Sequence, residues 1–242
     1  MNLHFAVAAL AATIAGMSKG GLKGLGLLVV TLMAVVYGAR ISTGIIVPLF
    51  IIGDILAVLY FKKHVKWKYL KQFMPTMLLG VVVAAYVGES WDEAVFKKWM
   101  SVIILGSVLY MFWTEYKSVV FKPDSKIIAA SVGFAAGFTT MIGNLAGPFA
   151  NLYFLATRLP KKEIVGTAAW VFFIINIFKV PFHVFAWGTI SKESLMVDLK
   201  LFPFVIIGFF IGTRLLGLFS ERNYRKFLLI VTALGALIIL YR

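Results

Sequence analysis

The chain has no cysteine, only three histidines and only 10 acidic residues among 242. Without cysteine there are no disulfides, no thiolate nucleophile and no sulfur-ligated metal. The histidines, at positions 4, 64 and 183, fall in separate segments and do not suggest a metal site. No H-E-x-x-H, G-x-S-x-G or G-x-x-x-x-G-K-[ST] pattern is present, so metalloprotease, serine-hydrolase and phosphate-loop chemistries lack their parts. Asp54 and Asp198 are the pair that an intramembrane aspartyl enzyme would need, but Asp198 reads as part of a polar loop beside Lys200. A non-enzyme without cofactor or metal is therefore expected. Also missing is any polar stretch long enough to fold as a soluble domain. Met1 to Phe5 lacks a basic leader, so no cleaved signal peptide is expected.

What the chain does have is apolar surface. It is 61% hydrophobic and 14% charged, with a mean hydropathy of +0.94. No water-soluble fold buries that much, which makes this a polytopic membrane protein whose first partner is the lipid bilayer. The net charge of +14 would suit nucleic acid in a soluble chain. Here the basic residues fall in short loops between apolar runs, as the positive-inside rule describes, and no nucleic acid is expected.

The apolar region from Leu3 to Gly38 is too long for one span of about 20 residues and too short for two comfortable ones. Its middle, Gly16 to Gly26, carries five glycines, Ser18, Lys19 and Lys23. Exposed backbone and charge are costly in hydrocarbon, so the stretch predicts two short helices whose broken tip is buried in protein or beside water. Gly137 to Pro148 is a second such stretch, inside Ile127 to Ala156. Broken helices of this kind hold substrates in secondary transporters. Continuous runs are expected over Ile41 to Phe61, Phe73 to Val87 and Val95 to Trp113, then over Ile164 to Trp187, Leu201 to Phe219 and Phe227 to Tyr241.

The order of segments therefore repeats, and positions match within it. Gly44 and Asp54 map onto Gly166 and Asn176 by one shift, and Pro75 and Gly80 map onto Pro203 and Gly208 by another. The expected fold is all-α, with two inverted repeats, each a glycine-broken helical pair plus three transmembrane helices. The boundaries are 1–116 for the N-terminal repeat, 117–126 for a cytoplasmic linker and 127–242 for the C-terminal repeat. A broken pair returns to the face it entered, so three further spans invert the second half. One face then collects fourteen basic residues and the other six. That places the richer face in the cytoplasm and both termini outside.

Ser18, Lys19, Gly20 and Gly21 offer a hydroxyl, an ammonium and backbone N–H groups that glycine leaves open, a combination suited to a small anion. The bland alternative is a reversal loop, with glycine for close packing and Lys19 snorkelling to water. Thr139, Thr140, Gly143 and Asn144 form the opposing tip, either binding a desolvated oxyanion or hydrogen-bonding between helices. Asp54, matched by Asn176, is either a proton carrier coupling transport or a structural partner of a nearby lysine. Lys179 and His183 share a helix face. His183 is placed at the outer interface near Trp187, with proton relay as the alternative.

With its doubled plan, its Gly16–Gly26 and Gly137–Pro148 stretches and its paired Pro-x-x-x-x-Gly at 75–80 and 203–208, the sequence resembles the TauE/SafE family of sulfite and organosulfonate exporters over nearly its whole length. The resemblance implies export of a small sulfur-containing oxyanion, such as sulfite or an organosulfonate, across a bacterial inner membrane. Lys19 and Lys23 are not part of that resemblance. A secondary transporter working by alternating access is the expectation. An anion channel and a non-transporting scaffold subunit are the alternatives.

Overall fold

The computed structural model describes residues 3–116, 125–220 and 223, and among them there is no strand. Nine α-helices follow in order: α1 (Leu3–Lys19), α2 (Gly26–Tyr37), α3 (Ala39–Phe61), α4 (Trp67–Glu89), α5 (Glu93–Tyr116), α6 (Lys126–Gly143), α7 (Gly147–Ala156), α8 (Lys161–Pro181) and α9 (Lys192–Leu218). Among the described residues, α3, α4, α6, α8 and α9 are long and apolar enough to cross a membrane. The chain is an all-α polytopic membrane protein. The expected spans at 41–61, 73–87, 95–113 and 164–187 each coincide with a helix. Most of the expected linker and the last expected span, Phe227 to Tyr241, lie outside the described residues.

Both predicted breaks are present, and they are made differently. Between α1 and α2 the chain turns through Gly21 and Gly24, whose φ values of 128° and 99° would strain any residue with a Cβ. Between α6 and α7 it turns at Asn144, in the left-handed region at φ 58°. The Asn144 and Leu145 N–H groups close that helix end on the carbonyls of Thr140 and Thr139.

One expectation fails at α9. The stretch from Gly188 to Lys200 reads as a loop, yet the helix begins at Lys192. Ser191 is the reason: its hydroxyl accepts from Ser194 N–H at 3.3 Å while Ser194 returns the bond to Ser191 N–H at 2.9 Å. This capping box starts the helix inside a polar stretch. Asp198 is consequently a buried helical residue and not a loop residue.

Glycine sets how the helices cross. A Cβ on Gly16 would lie 2.0 Å from the Val205 carbonyl oxygen, and one on Gly208 would lie 2.0 Å from that of Thr13. Thus α1 and α9 touch backbone to backbone, the small-residue packing that membranes favour. On the other side, Gly137 meets the Met77 carbonyl at 1.9 Å and Gly80 meets that of Phe134 at 2.3 Å, joining α6 to α4. Higher numbers on one helix meet higher numbers on the other in both pairs, so each pair runs parallel. The two sets of contacts are interchanged by adding 121 on one helix and 128 on the other. In contrast, α3 and α8 are antiparallel: Asp54 meets Asn176, whereas Phe61 meets Gly166. The start of α3 is clamped to the α4–α5 turn. Glu93 accepts from Ala39 N–H at 2.6 Å, and the Arg40 guanidinium donates to the carbonyls of Gly88, Glu89 and Trp91.

Candidate functional site

The two breaks face one cavity. Its wall includes Ser18, Lys19, Lys23 and Gly24 from the first break, Thr140, Asn144, Leu145 and Asn151 from the second, Phe50 from α3, and Phe172 and Asn176 from α8. Its volume of about 50 Å³ is room for a few water-sized groups. Crossing helices hold it open, because α1 is pinned to α9 and α6 to α4 by their glycine contacts, while the antiparallel α3 and α8 pass between.

Lys19, the last residue of α1, reaches Asp54 on α3 with its ammonium 2.7 Å from Oδ1. The other carboxylate oxygen accepts from Asn176 Nδ2 at 2.7 Å. Both side chains of the ion pair are buried, and the faces of Phe50 and Phe172 cover the ammonium at 4.4 and 4.9 Å. Gly53 leaves space for the lysine stem, since a Cβ there would sit 2.8 Å from Lys19 Cγ. A carboxylate in mid-span is thus satisfied by one cation and one amide, as desolvation demands.

Lys179 arrives at the second break from α8. Its ammonium donates to Asn144 Oδ1 at 2.6 Å, to the Thr140 carbonyl at 3.2 Å and to Thr140 Oγ1 at 3.3 Å. Asn144 Nδ2 donates in turn to the Thr43 carbonyl at 3.1 Å, tying the break to the start of α3. Lys179 therefore has neutral partners only. Lys23 is buried beside the Phe172 ring, 5.4 Å from its centre, and its ammonium has no hydrogen-bond partner. The amide nitrogen of buried Asn151 on α7 is likewise without a partner.

Of the residues that the sequence singles out, Ser18, Lys19, Thr140, Asn144 and Asn176 reach the cavity wall. Asp54 lies behind it on Lys19. Four others lie against protein neighbours. Gly20 rests on the Phe209 carbonyl of α9, and Gly21 faces Leu216. Gly143 faces Leu145 and Met100, and the Thr139 hydroxyl donates to the Ala135 carbonyl at 2.8 Å. His183 is fully buried, in a π-helical turn after α8, with Nδ1 2.7 Å from Thr189 Oγ1 and its ring against Trp187. The interfacial placement is thereby corrected: the widened turn folds the chain back over the ring. Lys179, Lys23 and Asn151 were not singled out as site residues by pattern. Lys23 stood inside the glycine stretch, Lys179 was visible only through its spacing from His183, and Asn151 carries no sequence signal.

Membrane-crossing helices around a small buried cavity, closed by two helix breaks and lined by ammonium groups, define a protein of the membrane-transporter class. The chain belongs to the sulfite exporter TauE/SafE family, whose model matches residues 6–239. That family is one of multi-pass membrane transporters for small sulfur-containing anions. No curated protein and no solved structure matches the chain.

Proposed function

We propose that the protein is a secondary transporter exporting a small sulfur oxyanion, sulfite or an organosulfonate, by alternating access at the cavity between the two breaks. The observation that carries this reading is the convergence of both breaks, from sequence regions more than a hundred residues apart, on one ammonium-lined cavity. Ser18, Thr140 and Asn144 would supply neutral hydrogen bonds. Gly20, Gly21, Thr139 and Gly143 shape the two tips that carry them. The halves, 1–116 and 127–242, act as inverted repeats. Supporting this, the counterparts α3 and α8 run antiparallel, and the first helix of each broken pair, α1 or α6, lies parallel on a span of the other half. A twofold axis in the membrane plane opposes α3 to α8 and gives the α1–α9 and α6–α4 pairs the same relative sense. Rocking one half against the other would open the cavity to each side in turn. The charge asymmetry supports a bacterial inner membrane orientation with both termini outside.

We assign coupling to the Lys19–Asp54 pair. A proton on Asp54 would release the Lys19 ammonium toward the cavity, linking pH to anion affinity. Asp54→Asn, which mimics the protonated carboxyl and keeps Lys19, should retain anion exchange and lose its response to a pH gradient. Retention of full pH-driven flux in that variant would make the pair structural only. The transport reading itself is tested in proteoliposomes with sulfite. Saturable flux that is accelerated by anion on the opposite side is expected of a carrier. Unsaturable flux without counter-transport would indicate a channel, and no flux of any anion a scaffold.

A further inference from the structure

Three lysines meet at the cavity, and among the described residues one carboxylate answers them. Asp54 answers Lys19 at 2.7 Å, and Lys179 is held by neutral oxygens. Lys23 is answered by no acceptor at all, although its residue is only 3% exposed. An ammonium in the interior of a membrane protein needs a counter-charge or water, because isolated burial is expensive. Asn151, 7% exposed on the same wall, repeats the deficit with its amide nitrogen. Both unpartnered atoms on the described wall are donors, so the missing ligand is rich in acceptors. Two cavity lysines, Lys23 and Lys179, have no carboxylate partner among the described residues, so a ligand with two negative charges would answer both. The cavity volume of about 50 Å³ suits a compact ion.

We propose that the site takes a compact, doubly charged sulfur oxyanion in preference to a singly charged sulfonate of the same shape. Lys23 Nζ and Asn151 Nδ2 are its direct donors, with Lys179 behind the Asn144–Thr140 break as the second charge. This inference rests on the anion-transport reading and sharpens it to a charge class. A matched pair of probes isolates the effect. Thiosulfate and methanesulfonate share an SO₃ group bearing one further heavy atom, and they differ by one charge.

The experiment is equilibrium binding of sulfite, thiosulfate and methanesulfonate to the full-length protein in lipid nanodiscs. Thiosulfate should bind at least about tenfold tighter than methanesulfonate, as one charge-assisted contact implies. Lys23→Gln should close most of that gap by weakening the dianion more than the monoanion, and Asn151→Leu should weaken both probes alike. Equal affinities of the wild-type protein for the two probes would overturn the charge class while leaving the anion site standing. A gap that survives in Lys23→Gln would remove Lys23 from the site. If none of the three anions binds the wild-type protein, the transport reading falls, and this inference with it. The comparison on the wild-type protein needs no variant to fold.

Discussion

The two helix breaks do the same geometric job with opposite chemistry. The first, between α1 and α2, carries its charge on its own residues, Lys19 and Lys23, and reverses through two glycines at positive φ. The second, between α6 and α7, carries only hydroxyl and amide groups and receives its cation, Lys179, from α8. One lysine at the first break is neutralised by Asp54, while the other is left open to the cavity. Charge can thus be given to a helix break locally or from a distance. Only an ammonium left without a counter-ion is free to attract a ligand.

The largest effect expected from breaking this contrast is at the neutralised lysine. Asp54→Ala leaves Lys19 buried without its counter-charge and Asn176 without its acceptor. Removing one partner of a buried pair costs about 3–5 kcal/mol. The melting temperature in detergent should fall steeply, and adding Lys19→Met should restore most of it. A single variant as stable as the wild type would mean that water already solvates the pair.

Next come the glycine contacts that hold the breaks in place. Gly16→Ala and Gly137→Ala each force a Cβ to about 2 Å from a carbonyl oxygen of the facing helix. Overpacking of that kind costs about 1–3 kcal/mol, and the two losses should be similar because the contacts are equivalent. Gly147→Ala meets nothing within 4 Å and serves as the control. Thermal unfolding of the three variants checks the equivalence, and one large loss beside one negligible loss would break it.

Smaller differences should separate the remaining two lysines. Lys179→Met strips Asn144 Oδ1 of its donor, and an unsatisfied buried acceptor costs about 1–3 kcal/mol. Lys23→Met strips nothing of a partner. In anion-free buffer it should leave stability unchanged or raise it, while reducing the added stability conferred by sulfite. A common fall in melting temperature for both variants would place Lys23 in the structural class with Lys179.

The least energetic test is the most direct on geometry. The chain has no native cysteine, so Ser18→Cys and Asn144→Cys, one from each break, can be labelled in isolation. Both should react slowly with a small polar thiol reagent, and sulfite should protect both. Protection of one alone would separate the breaks.

Much of the plan was legible in the chain because bilayers are strict. Apolar runs of fixed length, interrupted by glycine and charge where hydrocarbon permits neither, indicated the spans and both breaks. The polar stretch before Pro203 misled, since Ser191 and Ser194 look like loop residues until they are seen to cap each other. Gly20, Gly21 and Gly143 marked places where a missing Cβ makes way for neighbouring side chains or backbone, which the chain alone does not reveal.

By itself, then, the sequence determined the membrane class, the helix count through α9 and the positions at which the helices break. All of these follow from local composition and the cost of exposing backbone to lipid. Which lysine is neutralised, which is held by amides and which stays open was decided by the tertiary structure alone. Asp54 sits thirty-five positions from Lys19, and Asn144 the same distance from Lys179. Groups so far apart in the chain meet only after the helices pack against one another. The pairing of charge is a property of that packing, and no window of sequence contains it.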